Sequence, residues 1–156
     1  MKLVTVLASA VLLVLFTACG GGGSPDDAVK GFIEAVKAGD GAKAAGYLSS
    51  HALEELDEQL VVLKEDPEMA VMALATMGVE TTASEVKDWT SADFFAALIE
   101  TEMMREELGD KLDVEVTGSE TDGEEAAVFL RTVDGDEDEF DMILENGQWK
   151  IFEMPN

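Results

Sequence analysis

The segment V-K-G-F-I-E-A-V places Val29, Phe32, Ile33 and Val36 at i, i+3, i+4 and i+7, so one apolar stripe runs down a helix. Ser24 supplies its cap, Pro25 suits the first turn, Asp26 and Asp27 favour the positive end, and Gly39 closes it. Asp40 opens a short second helix carrying Ala44, Tyr47 and Leu48. Ser49 or Ser50 caps a third, with Leu53, Leu56, Leu60 and Leu63 on one side, and Pro67 stops it. Glu68 to Met77 predicts a fourth helix ended by Gly78, and the pattern leaves Thr81 to Trp89 unassigned. Thr90-Ser91-Ala92-Asp93 has the form of a capping box with Asp in place of Glu. It leads one helix through Phe94, Phe95, Leu98, Ile99 and Met103 to Gly109.

Beyond Gly109 the period changes to two. Leu112, Val114 and Val116 alternate with Asp113, Glu115 and Thr117, a strand with one buried face. Thr121-Asp122-Gly123 turns the chain into a strand with Ala126, Val128 and Leu130 inward, and Phe140, Met142 and Leu144 follow in a third. Asn146-Gly147 is a two-residue hairpin signal that sets Leu144 opposite Trp149 and Met142 opposite Ile151. The plan is α+β: helices first, then a four-stranded antiparallel meander. At Asp134-Gly135 a three-residue loop pairs Leu130 with Phe140, whereas a two-residue loop would turn Arg131 into the core, so the longer loop is expected. Phe129, Ile143 and Phe152 then point away from the core. They are candidates for a partner or homodimer face, or for a surface covered by the helix around Phe94.

The start of the chain has another logic. Lys2 precedes an apolar run from Leu3 to Phe16, which resembles a secretory signal and is too short to span a bilayer as a helix. Phe16-Thr17-Ala18-Cys19 resembles the lipobox of bacterial lipoproteins, with Phe where Leu is commonest. The resemblance implies removal of residues 1–18 and acylation of Cys19, the one cysteine of the 156 residues. Residues 20–24 read as a glycine-rich tether lifting the body, residues 25–156, off the membrane. Gly20, rather than Asp, after the cysteine favours the outer membrane in a two-membrane host. In any other host the address is the outer face of the cell membrane. A lone cysteine forms no internal disulfide, so packing alone holds the body together.

Ten bases against 34 acids give a net charge of −24. That excludes nucleic acid as a partner, since its phosphates need a cationic surface. The acids are spread along the chain, as solubility requires. No catalytic set is expected. His51 is the single histidine and stands beside helix caps, no zinc-type ligand spacing exists, and there is no G-x-S-x-G motif. Asp134, Asp136 and Asp138 in V-D-G-D-E-D-E-F-D have the alternation of an EF-hand loop, but Glu139 stands where that loop needs glycine. The stretch reads as a solvated hairpin tip, and no metal or other cofactor is expected. Met69, Met72, Met77, Met103 and Met104 would suit a pocket for an apolar ligand, but such a stripe is more often core, and core is expected.

Two stretches carry a family resemblance. S-P-D-D-A-V-K-G-F-I-E-A-V-K-A-G-D-G-A-K-A-A-G-Y-L-S, residues 24–49, and I-L-E-N-G-Q-W-K-I-F, residues 143–152, resemble the two ends of nuclear-transport-factor-2-like domains, closest to the small bacterial lipoproteins of that superfamily. The resemblance implies a cone in which helices pack on a curved four-stranded sheet and leave an apolar pocket. Phe32, Leu56, Met72, Phe94 and Trp149 are the residues expected to line it. The function expected is a lipid-anchored binding or interaction domain without catalysis. The alternatives are a carrier of a small apolar ligand and an isomerase- or dehydratase-like enzyme.

Overall fold

In the computed structural model, which describes residues 23–153 and leaves aside the side chains of 109 and 110, helix α1 spans Pro25–Ala38. The leader, Cys19 and residues 20–22 lie outside the described residues. Ser24 and Asp27 cap α1 reciprocally, and Gly39, at φ 68°, takes the left-handed turn that ends it. Helices α2 (Gly41–Ala45), α3 (Ser50–Glu65), α4 (Pro67–Thr76) and α5 (Ala83–Asp88) follow, capped by Asp40, Ser49, Asp66 and Thr82. Tyr47 and Leu48 fall outside α2. There the chain pairs in parallel with the last strand: Ile151 N–H donates to the Tyr47 carbonyl at 2.8 Å, and Ser49 N–H to the Ile151 carbonyl at 2.9 Å.

The expected single helix from Phe94 to Gly109 is two, α6 (Ser91–Ile99) and α7 (Glu102–Lys111). Thr101 divides them. Its buried hydroxyl donates to the Leu98 carbonyl at 2.7 Å and accepts from Met104 N–H at 3.2 Å, closing one helix and opening the next.

Strands β1 (Val114–Asp122), β2 (Glu125–Thr132), β3 (Glu137–Glu145) and β4 (Gln148–Glu153) form one antiparallel sheet in sequence order. The β3–β4 register matches the expectation, with Leu144 opposite Trp149 and Met142 opposite Ile151. The β2–β3 register does not: Phe140 pairs with Val128, and Leu130 with Asp138. The three-residue loop is Val133-Asp134-Gly135, one position earlier than expected, and Thr132 N–H reaches the Asp136 carbonyl across it. A shift by two residues preserves facing. Ala126, Val128, Leu130, Phe140 and Met142 therefore still point inward, and Arg131 outward beside Glu137 at 3.3 Å.

The apolar interior is divided. One cluster joins Val29, Phe32, Ile33 and Val36 of α1 to the inner sheet face and to Phe95 and Ile99 of α6. A second, formed by Leu60, Ala70, Leu74, Val79, Val86 and Phe94, lies among α3 to α6, and Leu56 packs against both. The methionines correct the expectation of a core stripe. Met69 and Met72 are 67% and 73% exposed, and Met103 is exposed too. Helix α4 is apolar nearly all round, so its period marks no inner face, and packing selects Ala70 and Leu74.

Candidate functional site

The outer sheet face follows from the register. Across β1, β2 and β3 one row reads Glu120, Ala127, Asp141 and the next Asp122, Glu125, Ile143. These residues, with Phe152 from β4, line a groove of about 470 Å³ that is open to solvent. Phe152 is the extra residue of a bulge, because Ile151 pairs with Met142 and Glu153 with Asp141. Its ring stacks on His51 of α3, with centroids 4.4 Å apart and planes within 11°. That is the place of the single histidine: an exposed imidazole over a half-buried phenyl ring.

The groove mixes apolar and acidic groups, with Ala127, Ile143 and Phe152 beside four carboxylates. Glu120, Asp122, Glu125 and Asp141 are all exposed. Asp122 and Glu125 are directly paired across the strands, an arrangement of like charges that costs stability in a free sheet. Ile143 and Phe152 are only half-buried. Such a surface suits a partner that brings both cationic and apolar groups.

The three candidates for an interaction face divide. Ile143 and Phe152 share the groove. Phe129 does not: it pairs with Gly118 and Glu139, four residues along β2 from the Ile143 position, roughly 13 Å away. No α6 residue lines the groove.

The candidate pocket residues are dispersed as well. Phe32 is buried in the first cluster, Phe94 in the second, and Leu56 lies between them. Met72 stands on the solvent side of α4, which removes it from any interior pocket. None of these four lines any of the three principal grooves, whereas Trp149 lines one beside Lys43 and Lys150.

Among the described residues no three His, Cys, Asp or Glu side chains converge to hold a metal ion. Asp134, Asp136 and Asp138 are exposed around the β2–β3 turn. Among the described residues no helix is long and apolar enough to cross a membrane. The acid rows were missed in the sequence because each carboxylate, taken singly, is an ordinary outward position. Only the pairing of three strands brings them together. Comparison with protein-family models, with curated proteins and with solved structures gives no match.

Proposed function

We propose that this chain is a lipid-anchored, extracytoplasmic binding domain of the nuclear-transport-factor-2-like cone class, and that its partner sits in the groove over β1, β2 and β3. The observation that carries the reading is the union, in one open groove, of Ile143 and Phe152 with four exposed carboxylates. Catalysis in cone folds calls for ionisable groups buried in the pocket, where their pKa values shift, and the carboxylates here stand in water. The partner class is an amphipathic segment with basic and apolar side chains, held by charge at the carboxylates and by burial of Ile143 and Phe152.

Two experiments test this. Labelling with an alkyne fatty acid is expected to mark the full chain and not a Cys19→Ala variant, and a variant still labelled removes the anchor. For the groove, a fluorescent peptide with Lys and Leu at helical spacing is titrated against the full chain in mild detergent. Binding is expected to weaken with salt and at least tenfold on Ile143→Arg. Equal binding of a peptide with Glu in place of Lys, or no effect of Ile143→Arg, overturns the groove reading.

A further inference from the structure

A second groove, of about 380 Å³, lies where the chain joins its folded body. Gly23, Lys43, Trp149 and Lys150 line it, contributed by the approach to α1, by α2 and by β4. Gly23 directly precedes the cap of α1, so residues 1–22 reach the body at this groove. Its charge runs against that of the chain. With ten bases to 34 acids overall, two lysines here face one carboxylate, Asp27. That carboxylate is already engaged by Ser24 N–H at 3.1 Å. Lys150 donates to the Gly46 carbonyl, which fixes its ammonium at the rim, and Lys43 projects from the exposed side of α2.

We propose that this groove is the face the domain sets against a phospholipid bilayer, with Lys43 and Lys150 on lipid phosphates and the Trp149 indole at the boundary. The inference rests on the lipid anchor at Cys19. Three residues separate Cys19 from Gly23, and the four Cα–Cα steps of a fully extended chain span at most about 14 Å. The polar layer of a leaflet is itself roughly 5–7 Å deep. Acyl chains in the hydrocarbon hold Cys19 at that layer, so the groove is confined to the membrane surface. The tether can thus lift the body by no more than that extended length. Cationic side chains are drawn to an anionic leaflet, and an indole suits the interface. The acidic remainder of the surface is repelled by the same leaflet, which turns the groove toward it.

The test uses the full chain, reconstituted in vesicles of phosphatidylethanolamine and phosphatidylglycerol at three to one. A nitroxide is placed at the groove by Gln148→Cys, and at the far end of the sheet by Asp134→Cys. These sites lie about 30 Å apart along the nine-residue strand β3. Flotation and collision with a water-soluble nickel chelate are read on the same samples. The parent chain is expected to take up no label, since Cys19 is acylated, and to float. The label at 148 is expected to be shielded from the chelate at least fivefold more than the label at 134, and adding Lys43→Gln and Lys150→Gln to cut that shielding at least by half. Floating chains in which both labels are equally accessible overturn the groove's role and leave the anchor standing. Shielding that survives loss of both lysines overturns their part in it. Labelling of Cys19 in the parent, or failure to float, overturns the anchor and the membrane seat with it.

Discussion

At Gly41 helix α2 lies against the backbone of α6. A Cβ there would lie 2.6 Å from the Ala96 Cα and closer still to its carbonyl oxygen, and both are backbone atoms that cannot swing aside. Gly41→Ala is expected to cost about 3 kcal/mol in urea unfolding, the upper range for overpacking. Gly46→Ala, whose Cβ meets the Lys43 carbonyl at 3.2 Å, is expected to cost under about 1 kcal/mol. Charge acts locally too. Hydrogen bonds from the Ser24 hydroxyl and then its N–H hold Asp27 below its ordinary 3.8, and the Thr82 hydroxyl and N–H hold Glu85 below 4.5. For Asp93 the Thr90 N–H leads and the hydroxyl follows. With the folded value below the unfolded one, the unfolded chain binds more protons in that interval. These caps therefore stabilise the fold above the unfolded values and lose that contribution as pH falls through the folded ones. The melting temperature is expected to drop below about pH 4, and Asp93→Asn, which still accepts from Thr90 N–H without titrating, to make the drop shallower.

Among the elements, helix starts were plain in the chain because a cap is a local device: one oxygen, two or three residues from the N–H it accepts. Ser24, Asp40 and Thr90 cap where the spacing said they would, and of the two serines offered for α3 the cap is Ser49. Thr101 is the same device, hidden because the helical spacing of Phe95, Ile99 and Met103 runs on across it. Thr101→Val is expected to destabilise the chain by about 1–2 kcal/mol and Thr101→Ser by much less, since serine keeps the hydroxyl that bridges α6 and α7. The β2–β3 register was less legible. Loops one position apart both keep Leu130 inward, so alternation could not choose between Phe140 opposite Leu130 and Phe140 opposite Val128.

For the whole molecule, the division into two apolar clusters has a mechanical consequence. Helices α4 and α5 pack on α3 and on each other, away from the sheet. Their amides are expected to exchange with solvent through a partial opening that leaves β2 and β3 protected. Leu74→Ala, at a site 2% exposed, is expected to cost about 3 kcal/mol and to speed exchange in α4 and α5 far more than in the sheet. Exchange that accelerates equally everywhere would mean a single cooperative unit. The same scale separates the two grooves. Carboxylates gather over β1 to β3, while Lys43 and Lys150 sit where residues 1–22 arrive, so the anionic chain carries its charge unevenly.

The sequence by itself determined what depends on near neighbours: helix caps, the Asn146-Gly147 turn, the inward set of each strand, and the α+β order of elements. Tertiary structure decided what depends on distant residues meeting. It placed Ile143 and Phe152 together and left Phe129 apart, turned Met69 and Met72 to solvent, and separated Phe32 from Phe94 into different clusters. The reason is physical. A periodic pattern fixes which side of an element is apolar, while register and packing, which are relations between elements, fix what that side touches.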